Sequence, residues 1–359
     1  MVKAVLIFIF NILLFFPLIS LSQDGDIKKM NVGVILPLSG EVSSLGTAFR
    51  NGMTLALEEL SEDERKLINF IYEDDAFNSR NSISALKKLQ SQNRIDVAIS
   101  FGSGTSNALA PIVERDRVAL IAIASDPKVV KDKKYVFNFW VTPEQEAEVM
   151  VPEAIRRGYK KVARICAIHD GTFSAREALD LVNENQIQFV VDEEYPPDAK
   201  DFRTYLTKIK ARKDIDAILP LLFPGQISEF TKQARSLGIT LPFFSFEFFE
   251  DANEVKNANG TLEGAWYVNA DDASGDFVRK FKARFPTSSM YSAANGYDTV
   301  KLLISAAKRD PSAEGVRFYL STLSNFEGAL GKYSASGDQR FTLGAAVKEI
   351  TKDGFIKIR

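Results

Sequence analysis

The chain has 359 residues, of which 45% are hydrophobic and 26% charged, and its formal net charge is −2 at pH 7. This near balance of charge gives no reason to expect a nucleic acid or an anionic membrane surface as a partner. The only cysteine, Cys166, excludes an internal disulfide, so packed cores must stabilise the fold. The length exceeds what one compact core usually supports, which predicts two lobes.

The first 22 residues have the outline of a secretory signal peptide. Lys3 precedes an apolar stretch over 4–16, which is followed by the helix breaker Pro17. A membrane anchor is the alternative, but Asn11 and Pro17 interrupt a stretch already shorter than the about 20 apolar residues of a spanning helix. We therefore expect cleavage after Ser22 and a periplasmic protein with no stable membrane insertion.

Short apolar runs alternate with helix-like runs from the end of this segment to about residue 246. The predicted strands lie at 32–36, 67–72, 95–100, 118–124, 161–168, 187–195, 215–222 and 242–246. Runs of this kind are typical of strands that are covered on both faces. Strand–helix–strand order predicts parallel sheets with right-handed crossovers, and its repetition after about residue 143 predicts two similar lobes.

The remainder of the chain is less regular. Residues 264–268 indicate a strand, and three helices are predicted near 275–285, 291–309 and 312–323. Gly337-Asp338 and Asp353-Gly354 are turn formers between alternating apolar residues, a pattern typical of hairpins. The chain is therefore predicted to end in β structure.

The sequence offers little for catalysis. His169 is the only histidine, and Cys166 lies inside an apolar strand, where a buried structural thiol is expected rather than a nucleophile. A metal ion would have to be bound by carboxylates alone, such as Asp74-Asp75, which are more typical of a hydrogen-bonded corner at a strand end. The segment 100–107 lacks the third glycine of a dinucleotide-binding motif. We expect neither enzymatic activity nor a cofactor.

Small polar loops follow several predicted strands. Residues 38–47 follow the first strand, and residues 103–106 precede a helix, where hydroxyls and free amides can hold an anion or simply cap the helix. In the second series, 170–174, 223–226 and 245–247 lie at equivalent strand ends. Ligands of open α/β sheets bind at the carboxyl ends of strands, so these loops predict a binding cleft.

These motifs together resemble the type I periplasmic substrate-binding proteins of ABC transporters, in the branch of the leucine/isoleucine/valine-binding proteins. The resemblance runs from about Lys29 to the carboxyl terminus. It depends on VGVILPLSG with Gly46, YEDDAFNS at 72–79, SFGSGTSNALAPIVERDRVALIAIAS at 100–125, KQARSLG at 232–238, Glu247, and TLEGAWYV at 261–268.

The resemblance implies an α/β fold with two doubly wound parallel-sheet lobes and a hinge of three crossings that traps ligand on closure. The crossings are expected near Thr142-Pro143, near Ala270 and within 331–342. The expected N-terminal lobe is 28–142 plus 271–332, and the expected C-terminal lobe is 143–270 plus 333–359.

The resemblance also implies a binding site, transferred here position by position. Ser103 matches a serine that holds a ligand carboxylate, Ala124 matches a residue whose carbonyl accepts from a ligand ammonium, and Glu247 matches the carboxylate that neutralises it. Second-lobe positions match Phe223 and either Phe173 or Ser174. The expected ligand-binding residues are Ser39, Leu45, Ser103, Gly104, Thr105, Ala124, Ser125, Asp126, Phe173, Ser174, Phe223 and Glu247.

Three departures from the family pattern bear on the ligand. Leu45 replaces an aromatic residue, and Phe77 with Gly102 replaces a pair that forms a disulfide in some members. Asp126 stands where amino-acid binders usually carry Thr, and a carboxylate cannot donate to a ligand carboxylate and repels it. If Asp126 and Glu247 face one cleft, the ligand has a positive or amide-rich end rather than being a simple branched-chain amino acid.

The function expected from this resemblance is capture of a small polar ligand, such as an amino acid, amide or amine, and its delivery to an ABC permease in the inner membrane. A periplasmic sensing or scaffold module of the same fold, acting with a receptor or a cell-wall enzyme, is the alternative. The sequence does not separate the two, because docking surfaces are patterns of solvated charge in either case.

Overall fold

The first lobe is built on a five-stranded parallel sheet. The computed structural model describes residues 28–359, so the predicted signal peptide lies outside the described residues. The strands are β1 (Met30–Leu36), β2 (Ile68–Asp74), β3 (Val97–Phe101), β4 (Ala119–Ile123) and β5 (Val136–Asn138), in the order β2-β1-β3-β4-β5. Between them run α1 (Ser43–Glu58), α2 (Glu62–Leu67), α3 (Ser79–Asn93) and α4 (Ser103–Asp116), and a 3₁₀ turn spans Pro127–Val130.

The second lobe begins with α5 (Pro143–Arg156) and has a sheet with parallel and antiparallel parts. Its first elements are β6 (Lys161–Ala167), α6 (Asp170–Asn183), β7 (Gln188–Tyr195), α7 (Arg203–Ala211), β8 (Ala217–Leu221) and α8 (Ile227–Ser236). Then follow β9 (Phe244–Ser245), a 3₁₀ turn at Glu247–Phe249, α9 (Ala252–Asn257) and β10 (Trp266–Ala270). Strands β7, β6 and β8 pair in parallel in that order, and a parallel bridge joins Ile218 of β8 to Phe243 beside β9.

The chain then returns through both lobes. The remaining elements are α10 (Gly275–Arg284), α11 (Ala293–Ala307), α12 (Ala313–Ser321), β11 (Phe326–Gly328), β12 (Gly331–Tyr333), β13 (Ala345–Thr351) and β14 (Gly354–Lys357). Strand β13 pairs antiparallel with β10 and with β14, which gives the second sheet an antiparallel edge. The predicted turn at Asp353-Gly354 is confirmed, and Gly337 lies in a short loop closed by a bridge between Ala335 and Phe341.

A close helix crossing attaches α11 to the first lobe. A Cβ atom on Gly52 of α1 would lie 1.9 Å from the Ala293 carbonyl oxygen, and one on Gly296 would lie 2.1 Å from the Phe49 carbonyl oxygen. Any side chain at either glycine would therefore force the two helices apart. One glycine on each helix lets the backbones of α1 and α11 come into contact. This contact holds the segment before α11 against the cleft.

The apolar residues form separate cores in the two lobes. One core is built from residues of 147–268 together with Val347 and Ile350. Another combines residues of 30–141 with residues of 300–343, and Tyr333, Phe341 and Leu343 pack in it. The expected α/β architecture of two lobes is confirmed, while the exact limits of each lobe stay a prediction. Within residues 28–359, no helix has the length and hydrophobicity needed to cross a membrane.

Candidate ligand-binding cleft

The cavity that best fits a ligand lies between the two lobes. From the first lobe and the segment before α11 it is lined by Val42, Leu45, Phe77, Phe101, Gly102, Ser103, Ile123, Ser125, Trp140 and Tyr291. From the second lobe it is lined by His169, Gly171, Phe223, Pro224, Phe248 and Asp251. The cavity has a volume of about 50 Å³. The lobes are therefore closed around a small, largely apolar space.

Aromatic rings close the cleft from both sides. Phe77 of the first lobe stacks on His169 of the second, with ring centroids 5.9 Å apart and planes 11° apart. Phe223 meets the His169 ring edge-on at 4.5 Å and the Phe77 ring at 6.4 Å. Gly102 makes room for this contact, because a Cβ atom there would lie 2.3 Å from the Phe77 ring and its φ is +96°. Phe77 and Gly102, the two departures from the family pattern, therefore fit each other, since the Phe77 ring occupies the space that a side chain at position 102 would need.

Helix α4 points its amino terminus at the cleft. It begins at Ser103, so the segment 103–106, which was expected to precede the helix, forms its first turn. The Thr105 hydroxyl donates to the Gly102 carbonyl at 3.0 Å, and the Ser106 hydroxyl bonds to Ser100 at 2.8 Å. Ser103 Oγ accepts from the Asp126 backbone N–H at 3.0 Å, which leaves its own proton free to donate. Of these hydroxyls, that of Ser103 is the one positioned for a ligand.

Glu247 is a buried carboxylate that bonds across the cleft. The Ser125 hydroxyl donates to Glu247 Oε1, which joins the two lobes. Among the described residues, Glu247 Oε2 and both carboxyl oxygens of Glu146 are buried without a hydrogen-bond partner, as is Trp140 Nε1. Buried polar groups without partners are rare in proteins, so this acidic corner has unused hydrogen-bonding capacity.

Burial also changes the charge of this corner. It raises the pKa of Glu146 well above the usual value, and the neighbouring charge of Glu247 raises it further. Burial raises the pKa of Glu247 too, although the hydrogen bond from Ser125 lowers it in part. The two carboxyl groups therefore keep a proton to a higher pH than exposed glutamates do, and they titrate as a pair.

His169 is a neutral hydrogen-bonding residue in the wall of the cleft. Its Nδ1 accepts from the Gly171 backbone N–H at 3.1 Å, which caps α6. Burial lowers its pKa, although the charges of Asp170 and Asp126 oppose that shift. The hydrogen bond at Nδ1 assigns the proton of the neutral ring to Nε2. Cys166 is buried, and burial raises its pKa to about 11, which fits a structural thiol.

Asp126 takes part in a different contact between the lobes. It is 4% exposed, and its Oδ1 accepts from the Ser174 hydroxyl of the second lobe at 2.9 Å. Its Oδ2 accepts from Asn107 Nδ2 at 2.8 Å, and its Oδ1 also accepts from the Lys128 backbone N–H at 2.9 Å. Asp126 lines a neighbouring cavity with Phe173 and Ser174 rather than the cavity that contains Leu45 and Phe223.

The structure brings some of the expected binding residues together and separates others. Four of them line the cleft cavity: Leu45, Ser103, Ser125 and Phe223. Glu247 contacts Ser125. The Ala124 carbonyl accepts from Asn138 Nδ2 at 2.9 Å, and the Gly104 carbonyl accepts from Ser79 Oγ at 3.1 Å. Ser39 is exposed and donates its backbone N–H to Asp74.

Several residues of the cleft were not expected from the sequence. None of them was among the expected binding residues: Val42, Phe101, Trp140, Phe248, Asp251 and Tyr291. Trp140 lies just before the first predicted crossing, and Phe248 and Asp251 lie just after Glu247. Position in or at the end of a strand–loop segment could have identified Val42 and Phe101, whereas Tyr291 reaches the site only through the packing of α11.

Two α/β lobes that close on a small apolar cavity define a solute-binding protein of the type I periplasmic class. The family model "Periplasmic binding protein" matches residues 29–354, and the chain therefore belongs to that family. The chain is similar to the Leu/Ile/Val-binding protein homolog 3 of Brucella melitensis, with 22% identity over 86% of this chain and 88% of the relative. The family and its solved relatives are solute-binding proteins rather than enzymes.

Solved structures share the fold at low identity. A leucine binding protein, LivK, from Thermotoga maritima superposes with a TM-score of 0.86 at 20% identity, over 92% of this chain and 98% of that one. A solute binding protein of an ABC transporter from R. palustris, in complex with benzoate, superposes with a TM-score of 0.82 at 19% identity, over 92% and 96%. The predicted resemblance to the leucine/isoleucine/valine-binding proteins is confirmed.

Proposed function

We propose that this protein is exported to the periplasm, captures a small molecule with an apolar body and a positively charged or amide end, and delivers it to an ABC permease in the inner membrane. The observation that supports this most is the closed cleft itself. Its walls are largely apolar, and the buried carboxylate of Glu247 bonds across it to Ser125.

The polar groups of the cleft favour a donor over an acceptor in the ligand. Asp251 is the carboxylate that lines the cavity, and Glu247, whose Oε2 has no hydrogen-bond partner among the described residues, lies behind the lining residue Ser125. No lysine or arginine is among the residues that line this cavity. An ammonium group brings three donors and a positive charge, and a primary amide brings two donors, so both complement this surface.

The apolar part of the ligand would lie against Leu45 and Phe223, and its polar end would contact Ser125, Glu247 and Ser103. The Thermotoga maritima relative is named for leucine, and the R. palustris relative is in complex with benzoate; both ligands carry a carboxylate. The proposed ligand differs from them at that end. The lobes would close about the crossings expected near 142–143, 270 and 331–342. A ligand trapped in this way could be carried to the permease.

Native mass spectrometry of protein purified from the periplasm, followed by denaturation, tests the capture. We expect a small molecule to be released on denaturation. A thermal-shift screen with four compounds that share a branched body tests its class: isoamylamine has only the amine of leucine, isocaproate has only its carboxylate, isocaproamide has an amide, and leucine has both charges. Stabilisation by isoamylamine or isocaproamide supports the proposal, and stabilisation by leucine with the amine and amide inert contradicts it.

A further inference from the structure

Two carboxylates of the protein lie beside the amino terminus of α4, and they come from different lobes. Asp126 follows β4 in the first lobe, and Asp170 is the first residue of α6 in the second. Asn107 of α4 joins them, because its Nδ2 donates to Asp126 Oδ2 at 2.8 Å and to Asp170 Oδ2 at 3.2 Å. The inference below rests on the proposed function of ligand capture in the adjoining cleft.

The Asp126 carboxylate is fixed in this position. Its two oxygens accept from Asn107 Nδ2, Ser174 Oγ and the Lys128 backbone N–H, all within 2.9 Å. Its own backbone N–H donates to Ser103 Oγ at 3.0 Å, which ties it to the first residue of α4. Asp126 is 4% exposed, and the three hydrogen bonds that its carboxylate accepts restrict the rotation of the side chain.

The second lobe covers the same turn of α4. A Cβ atom on Gly104 would lie 3.5 Å from His169 Nε2 and 4.0 Å from Asp170 Oδ2. Lys128 lines the same neighbouring cavity as both carboxylates, but its Nζ binds Glu177 at 2.5 Å and its side chain is 59% exposed, so solvent screens its charge. The buried carboxylate of Asp126 therefore keeps its effect on the adjoining end of the cleft, whereas Asp170 is exposed and solvent screens its charge.

These positions have a consequence for the charge of the ligand. The free N–H groups at the start of a helix carry a partial positive charge of about half an elementary charge, which attracts an anion. Here the buried carboxylate of Asp126 opposes that partial charge, and the exposed carboxylate of Asp170 adds a smaller contribution. A ligand carboxylate near Ser103 would meet net repulsion in a poorly hydrated space, where like charges interact more strongly than in water.

We propose that Asp126 is a specificity-determining residue, which excludes carboxylate ligands from the Ser103 end of the cleft and leaves it to neutral or cationic groups. Its hydrogen bond to Ser174 forms only when the lobes meet, so the charge is fixed in place by closure. The exclusion therefore acts in the closed state, at the step at which ligands are retained.

The test separates the charge of Asp126 from its hydrogen bond to Ser174. Asp126→Asn and Asp126→Thr remove the charge, and Ser174→Ala removes the contact between the lobes but keeps the charge. Isothermal titration with isocaproate and isoamylamine measures each variant. We expect both Asp126 variants to bind isocaproate at least about tenfold more tightly than the unchanged protein does. Ser174→Ala should change the affinity for both probes by the same factor.

Other outcomes overturn the proposal. Isocaproate binding by the unchanged protein as tight as that of isoamylamine would show that no exclusion exists. Equal isocaproate affinity in the unchanged protein and in folded Asp126→Asn would assign Asp126 to lobe closure only. If circular dichroism shows that the Asp126 variants do not fold, Asp170→Asn removes the second carboxylate beside the amino terminus of α4. The absence of any gain in isocaproate affinity in that variant would also contradict the proposal. The proposed capture function fails separately, if native mass spectrometry finds no retained ligand and none of the four compounds binds.

Discussion

Ser125 and Asp126 are neighbours in the chain, yet they connect the lobes to two different acid sites. Ser125 donates a hydrogen bond to Glu247 Oε1, and Glu247 Oε2 has no hydrogen-bond partner among the described residues. Asp126 accepts three hydrogen bonds, one of them from Ser174 across the cleft. A carboxylate with all its donors supplied by the protein has little capacity left for a ligand, whereas a buried oxygen without a donor costs free energy until one arrives. Both contacts join the lobes, but only the Glu247 site retains an oxygen that can accept a hydrogen bond from a ligand.

The largest expected effect is on the ligand side of this comparison. Glu247→Gln removes the charge that would pair with an ammonium group, so the affinity for isoamylamine should fall by about 1.5 to 3 kcal/mol in isothermal titration. Glu263→Gln, at an exposed position, is the matched control and should leave the affinity unchanged. Equal affinities of the Glu247 and Glu263 variants would remove Glu247 from the binding site.

On the closure side, Asp126→Ala should lower the free energy of unfolding by about 1 to 3 kcal/mol, because it leaves buried donors without an acceptor. Urea denaturation of the ligand-free protein measures this loss. Asp198→Ala, at an exposed aspartate, is the control. A loss no greater than that of the control would mean that the donors find other partners, and that Asp126 is not a structural acceptor.

The acid pair behind the cleft should make stability depend on pH. Burial raises the pKa values of Glu146 and Glu247 in the folded protein, so the folded state binds more protons than the unfolded state between the usual and the raised values. The free energy of unfolding should therefore fall as pH rises through this window, by at most about 1.4 kcal/mol per pH unit for each group. Urea denaturation from pH 4.5 to 7.5 measures the slope.

Glu146→Gln is the variant that assigns this slope, because it removes one titrating group and the repulsion it exerts on Glu247. We expect a shallower decline of stability with pH in the variant. Asp298 contributes a decline of the same sign, since burial raises its pKa to about 6, but it is present in both proteins. Identical slopes would show that Glu146 is not part of the titrating pair.

The smallest effect is expected from Ser174→Ala, which removes one of the three donors to Asp126. The closed state should lose about 0.5 to 1.5 kcal/mol relative to the open state, the net value of one hydrogen bond. Small-angle X-ray scattering of the ligand-free protein would then give a larger radius of gyration. No change in that radius would indicate that the aromatic contacts of Phe77, His169 and Phe223 hold the lobes together by themselves.

Much of the fold could be predicted from the sequence, because its signals are local. The apolar runs of β1, β3 and β8, and the periodic helices between strands, depend on neighbours within a few residues. The antiparallel edge formed by β10, β13 and β14 could be predicted only in part. The hairpin of β13 and β14 has its own turn, but the pairing of β13 with β10 joins segments that are far apart in the chain.

The candidate site could be predicted less well, for the same physical reason. Strand-end position identified Ser103, Ser125 and Phe223, whereas Tyr291 lines the cleft only because α11 crosses α1. The sequence alone left open whether Asp126 and Glu247 face one cleft. It contains no information about which donors each carboxylate meets after folding.

The sequence by itself determined the alternating α/β order, the resemblance to the leucine/isoleucine/valine-binding proteins and the unusual acid at position 126. Only the tertiary structure decided what the acids do, since Ser125 meets its partner 122 residues further along the chain and Asp126 meets Ser174 48 residues away. Hydrogen bonds act over about 3 Å, and contacts at that range between distant segments exist only when both lobes are folded and closed.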